Sequence, residues 1–85
     1  MASLSKILLA VLSGSADANL RFADLTRLLD SLGFQCRVKG DHFIFSRTGV
    51  AEIINIQPLR GGKAKAYQVK QVRDIITRYG LQLRR

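Results

Sequence analysis

The spacing of the apolar residues changes once along the chain, and this change limits the possible folds more than any other feature. Up to Leu32 the apolar residues recur every three or four positions, as in a helix with one buried face. After that point Phe34, Cys36 and Val38 alternate with polar residues, as in a half-buried strand. The sequence therefore predicts helices followed by a sheet, with Gly33 ending the helix before it.

A Gly40-Asp41 pair follows the first predicted strand and fits the two-residue loop of a tight β-hairpin, in which glycine takes the first central position. A loop of this length fixes the register of the two strands. The predicted cross-strand pairs are Lys39 with His42, Val38 with Phe43, Arg37 with Ile44, and Cys36 with Phe45. Val38, Phe43, Cys36 and Phe45 then form a buried face, and His42 lies on the other face with Lys39 and Arg37.

The remaining segments complete the predicted order α-α-β-β-β-α. Helical spacing of apolar residues covers Leu4 to Leu12, Phe22 to Leu32 and Ala66 to Tyr79, and a third strand covers Glu52 to Ile56. Outward-facing positions of the last helix are assigned to Lys70, Arg73 and Asp74. Isoleucines occupy both faces of the third strand, so at least one is expected to join Ile44 beside His42. Three interpretations stay open for this apolar surface: a partner protein covers it, the N-terminal helix covers it, or it is an apolar sheet surface without a role.

A chain of 85 residues is long enough for one domain. We expect an α+β fold in which helices pack on a small three-stranded antiparallel meander. Residues 1–20 are predicted to form an accessory N-terminal helix and loop, residues 21–81 the core, and residues 82–85 a basic tail.

Positive charge is concentrated in the last third of the chain. The sequence has 14 Lys and Arg against 6 Asp and Glu, a formal net charge of +8, and more than half of the cations lie in residues 60–85. Such a field favours polyanions, because neutralising phosphates releases their condensed counterions. The alternative is a charged surface that only keeps the protein soluble.

The single cysteine and single histidine exclude several kinds of site. Cys36 has no partner for an intramolecular disulfide. It is also expected on the opposite face from His42, which argues against a tetrahedral metal site and against a Cys-His nucleophilic pair. We expect neither a metal nor a cofactor. The apolar run from Ile7 to Leu12 is too short to cross a membrane, so a cytoplasmic location is expected.

One imidazole on a cationic face is enough to cleave RNA without a metal. The 2′-hydroxyl is a nucleophile within the substrate, so the protein needs to remove its proton and stabilise the charge that develops on phosphorus. On this hypothesis His42 is the general base. Positive charge comes from Arg37, Lys39 or the loop that carries Arg60, Lys63 and Lys65.

Three segments together resemble the HicA family of toxins from toxin–antitoxin pairs: FADLTRLLDSLGF, VKGDHFIF and KAYQVKQVRDIITRYGL. The resemblance covers about residues 22 to 81. It implies a fold similar to double-stranded RNA-binding domains, endoribonuclease activity on messenger RNA, and a separate HicB-like antitoxin that blocks the site. The family's catalytic histidine corresponds to His42 and its preceding glycine to Gly40.

The RNA-binding residues expected on this basis are Arg37, Lys39, Gly40, Arg60, Lys63, Lys65 and Lys70. The protein is expected to be a monomer alone and a hetero-oligomer with the antitoxin. Asp41 replaces the usual small residue of the family between the glycine and the histidine. Two other functions stay open: an RNA-binding module without catalysis, and a subunit whose basic surface binds an acidic protein.

Overall fold

The computed structural model describes residues 3–84 and places the helices and strands in the predicted order. The elements are α1 (Leu4–Ser13), α2 (Phe22–Ser31), β1 (Gln35–Lys39), β2 (His42–Arg47), β3 (Val50–Ile56) and α3 (Ala66–Tyr79). The three strands form one antiparallel sheet in the order β1-β2-β3. The prediction of a small α+β fold with a three-stranded meander is confirmed.

The β1–β2 hairpin has the predicted register at every predicted pair, including Lys39 opposite His42 and Cys36 opposite Phe45. Gly40 has a φ of 62°. The φ of Asp41 is not positive, because within residues 3–84 only glycines have a positive φ. A positive φ at the first central residue alone is the pattern of a type II′ turn, whose twist matches that of the strands. Gly40 therefore sets the register that places His42.

One face of the sheet packs against the helices and forms the core. Phe45 and Ile54 are paired across β2 and β3, and both are almost completely buried. Phe43 lies on the same face, and its ring meets the edge of Phe22 from α2 at 4.9 Å between ring centroids. The helices, with the C-cap residue of α2, contribute mainly aliphatic side chains to this core: Ile7, Val11, Leu25, Leu28, Leu29, Leu32, Val69, Val72, Ile75 and Ile76.

The prediction that Cys36 and Val38 are buried is wrong. All five residues of β1 are exposed, and Val38 retains 55% of its accessible surface. Both side chains have the orientation of the core face, but the helices leave the β1 edge of the sheet uncovered, whereas Ile54 and Ile56 at the β3 edge are buried. Orientation toward the helix side is thus not enough for burial at the edge of the sheet.

The N-terminal helix belongs to the same core as the rest of the chain, since Ile7 and Val11 are buried in it. Arg73 of α3 holds this region in place. Its guanidinium donates to Asp17 Oδ1 and Oδ2 at 3.0 and 3.1 Å and to the carbonyl oxygen of Val11 at 3.0 Å. The prediction that Arg73 faces outward is therefore wrong, because the guanidinium turns toward the carboxylate and carbonyl oxygens supplied by α1 and the following turn.

The segment after α3 follows the surface of the fold instead of projecting from it. Leu81 and Leu83 pack against the core, and the backbone N–H of Arg84 donates to the Ser31 carbonyl oxygen at 2.8 Å. This bond satisfies an acceptor at the C-terminal end of α2. Residues 82–84 of the predicted basic tail are thus docked, and Arg85 lies outside the described residues.

Candidate functional site

His42 begins β2 and lies on the sheet face that the helices leave open. Cross-strand pairing places it opposite Lys39 on β1. On the other side of β2, Ile56 of β3 is paired with Phe43. The strands are antiparallel, so the next residue, Gln57, lies beside His42. Asn55 lies on the same face as His42, because alternate residues of a strand share a face. The imidazole is therefore surrounded by polar side chains.

The hydrogen bonds of His42 define its tautomer. Asn55 Oδ1 lies 3.0 Å from His42 Nδ1, and the Gln57 side-chain nitrogen lies 3.2 Å from His42 Nε2. A carbonyl oxygen only accepts and an amide nitrogen only donates. Nδ1 therefore carries the proton and Nε2 carries the lone pair. Neutral His42 is held with its basic nitrogen directed toward Gln57.

The side-chain amide of Gln57 is the centre of this network. Its nitrogen also donates to Asp41 Oδ1 at 3.2 Å, and its oxygen accepts from Lys65 Nζ at 3.3 Å. Both amide hydrogens and the amide oxygen thus have partners. The Asp41 carboxylate lies 3.9 Å from His42 Nε2. Lys65 fixes the orientation of the amide that occupies the basic nitrogen of His42.

Gln68 of α3 fixes the end of β3 at Asn55 and the residue that follows the strand, Gln57. Its side-chain oxygen accepts from the backbone N–H of Gln57 at 3.2 Å, and its side-chain nitrogen donates to the Asn55 carbonyl oxygen at 3.4 Å. This amide replaces a neighbouring strand at the outer edge of β3. Gln68 is buried although it is polar, and both ends of its amide are satisfied. The open-face site is thereby anchored to α3.

The predicted RNA-binding cations divide into two groups. Lys39 and Arg37 lie on the His42 face, and Lys65 joins the network through Gln57. Lys63 instead donates to Asn19 Oδ1 at 3.2 Å and lies on the helix side, where its segment pairs with Arg21. The structure therefore does not bring Lys63 to the imidazole.

Two other predicted cations also lie apart from the His42 network. Arg60 is exposed in the turn after Pro58, and Lys70 is exposed on α3 in a depression lined by Glu52 and Arg78. Gly40, the remaining predicted residue, contributes the turn itself. Two predicted cations lie next to the His42 network: Lys39 is the cross-strand neighbour of His42, and Lys65 donates a hydrogen bond to Gln57.

Apolar surface lies beside His42, as predicted. Ile53 shares the open face with half-buried Ile44 and retains 60% of its accessible surface. The N-terminal helix packs against α2 and α3 and does not cover these residues. The face therefore combines cations, an imidazole and exposed aliphatic carbon.

Asn55 and Gln57 were not among the predicted site residues. The signal was available once Ile56 was placed in the core, because its two neighbours must then point to the face of His42. Isoleucines occupy both alternating sets of positions in the third strand, so the sequence alone does not show which set faces the core. The side-chain bonds from Lys65 and Gln68 join distant parts of the chain, and spacing alone gives no sign of them.

Within residues 3–84, no three His, Cys, Asp or Glu side chains form a group that could hold a metal ion. The same part of the chain contains no helix with the length and hydropathy needed to cross a membrane. No family model, curated protein or solved structure significantly matches the chain. The resemblance to HicA toxins therefore stays a prediction.

Proposed function

We propose that the protein is a metal-independent endoribonuclease that cleaves messenger RNA, with His42 as the general base. The observation that carries the proposal is the pair of contacts of the imidazole, Asn55 Oδ1 at Nδ1 and the Gln57 nitrogen at Nε2, from which the tautomer of His42 is inferred. Its Nδ1–H is fixed by Asn55, so the nitrogen that can accept a proton is Nε2 on the open face. The net charge of +8 favours a polyanionic substrate.

The chemistry follows from these positions. Nε2 of His42 removes the proton of a ribose 2′-hydroxyl, and the oxygen attacks the adjacent phosphorus. The bond from phosphorus to the 5′-oxygen breaks, which leaves a 2′,3′-cyclic phosphate and a 5′-hydroxyl. Lys39 and Lys65 supply positive charge for the phosphorane. The leaving oxygen takes its proton from water, a lysine or the imidazolium.

Substrate must displace the Gln57 amide from Nε2 before proton transfer can begin. The Lys65 ammonium is bound to the same amide, so a phosphate that attracts Lys65 also releases the oxygen end of Gln57. A hydrogen bond of this kind contributes about 1 kcal/mol, which phosphate contacts can replace. The structure without RNA would then be a resting form.

A second candidate function is RNA binding without cleavage. The observation that favours it is the same Gln57 amide, which occupies Nε2, together with the Asp41 carboxylate nearby. If RNA does not displace that amide, His42 is part of a binding surface only. In that case neither the parent nor a His42 variant shortens the RNA, although both bind it.

The resemblance to HicA toxins adds a partner to the proposal. A HicB-like antitoxin would cover the His42 face, including exposed Ile53, and the toxin alone would be a cytoplasmic monomer. Co-purification with the product of an adjacent reading frame, followed by loss of RNA cleavage, tests this part independently of the catalytic residue.

The test of the catalytic proposal is incubation with long single-stranded RNA in EDTA. The parent, His42→Gln and Lys6→Gln are purified identically, so that His42→Gln reveals any contaminating ribonuclease and Lys6→Gln, at an exposed position of α1, controls for the effect of a surface substitution. We expect cleavage with cyclic-phosphate ends by the parent and Lys6→Gln, and a loss of about 100-fold or more in His42→Gln. Equal cleavage by all three would exclude His42 as the base.

A further inference from the structure

A second basic site lies at the opposite end of the sheet from the β1–β2 turn. It is a cleft of about 500 Å³ lined by Gly33, Gln35, Ser46, Arg47, Thr48 and Arg84. Its polar groups are two guanidiniums, two hydroxyls and an amide, and no carboxylate from residues 3–84 lines it. Among the ion pairs of the described residues, none involves Arg47 or Arg84. The cleft therefore has donors for an anion and no counter-charge from this part of the chain.

Gly33 brings the two arginines together. A Cβ at this position would lie 3.3 Å from Arg47 Nε and also 3.3 Å from Arg84 Cδ. Both side chains thus pass close to the glycine, where a Cβ would require each of them to shift by a few tenths of an ångström. The backbone of Arg84 is fixed by its bond to Ser31, which positions the base of this exposed side chain at the cleft. Two positive side chains that line one cleft repel each other, and an anion between them offsets this repulsion.

The cleft is continuous with the open face that carries His42. A shallow depression lined by Gln35, Cys36, Arg37, Ile44, Ser46 and Ile53 shares Gln35 and Ser46 with it. Register and alternation place these residues on the open face: Gln35, Arg37, Lys39, His42, Ile44, Ser46, Ile53, Asn55 and Gln57. The carboxylate beside them is that of Asp41, at the His42 end and away from the cleft. The path along β2 from His42 to Arg47 is about 17 Å at about 3.4 Å per residue.

We propose that the Arg47–Arg84 cleft binds a phosphate of the RNA strand several nucleotides away from the cleaved bond. This inference rests on the proposed function, because it assigns the path of the same substrate. The strand runs along the open sheet face, with exposed Ile53 and half-buried Ile44 beneath its bases or sugars. Guanidiniums bind phosphate oxygens in pairs of parallel hydrogen bonds, which suits two arginines at one point.

The test measures binding of a single-stranded RNA of about 12 nucleotides as a function of salt concentration. Arg84→Gln is compared with Lys6→Gln, which removes the same charge from α1 on the helix side. A plot of the logarithm of the association constant against the logarithm of the salt concentration has a negative slope. For each phosphate that a variant no longer neutralises, the magnitude of this slope falls by about 0.7. Because the two arginines share one phosphate, we expect the full fall of about 0.7 in the Arg47→Gln/Arg84→Gln double variant, a smaller fall in Arg84→Gln, and none in Lys6→Gln.

A dinucleotide substrate separates the cleft from the catalytic site, because it is too short to reach from His42 to Arg47. Its cleavage by Arg84→Gln is expected to match that by the parent, whereas KM for the longer RNA rises. If Arg84→Gln and the double variant keep the parental salt slope, the inference is wrong and the proposed function stands. If the parent itself fails to bind RNA, the proposed function fails, and the inference fails with it.

Discussion

The two faces of the sheet are built from the same strands and differ in almost every physical property. Toward the helices, Phe45 and Ile54 are nearly inaccessible to water. Toward solvent, His42 and Asn55 form a hydrogen-bonded network with Gln57. The difference shows that the fold depends on one set of alternate residues, which leaves the other set available for binding and chemistry.

The largest expected effect compares two adjacent isoleucines. Ile54 is completely buried and Ile53 retains 60% of its accessible surface. We expect Ile54→Ala to lower the free energy of unfolding by about 2–5 kcal/mol, because it leaves a cavity in the core. We expect Ile53→Ala to change it by about 0.5 kcal/mol or less. Chemical denaturation measures both, and equal losses would show that the two faces do not differ as described.

The next effect is on activity and concerns the open face alone. Asn55→Leu removes the acceptor that fixes the proton on Nδ1 of His42, and we expect RNA cleavage to fall about tenfold, equivalent to about 1.4 kcal/mol. Asn55→Asp keeps an acceptor oxygen at this position and is expected to retain most of the activity. If both variants lose activity equally, the oxygen of Asn55 does not act by fixing the tautomer.

A smaller effect tests the charged group on the helix side. Asp17→Asn weakens the interaction with Arg73 and is expected to cost about 1 kcal/mol, since both side chains are partly shielded from water. Asp30→Asn is the matched control, because Asp30 is exposed and has no ion pair among the described residues. Similar stability of the two variants would show that Arg73 contributes by packing only.

The smallest effect is a dependence of stability on pH. The Tyr79 hydroxyl donates to Glu52 at 2.6 Å and lowers the pKa of that carboxyl below its ordinary value of 4.5, with a smaller contribution from Arg78. The stabilisation is therefore complete above about pH 4.5 and is lost as pH falls through the lower pKa. We expect Glu52→Gln to be less stable than the parent at pH 7. The two stabilities should converge under acidic conditions, and a constant difference would contradict this explanation.

Much of this architecture follows from spacing along the sequence. The change of period at Phe34 and the turn at Gly40 predict the order of elements and the hairpin register, because both depend on local geometry. Burial at Cys36 and Val38 could not be predicted in this way, since it depends on how far the helices extend over the edge strand. For the same reason, the partners of Arg73 and Gln57 come from distant segments and leave no local pattern.

The measurement that tests the central claim most directly compares an RNA oligonucleotide with its all-2′-deoxy analogue of the same base sequence, in EDTA. If His42 activates the substrate's own 2′-hydroxyl, the parent protein binds both strands but cleaves only the RNA, leaving a 2′,3′-cyclic phosphate. Cleavage of the deoxy strand would contradict the claim, because the attacking group would then have to be water. Binding of the RNA without cleavage would contradict it equally and would identify the open face as a binding surface.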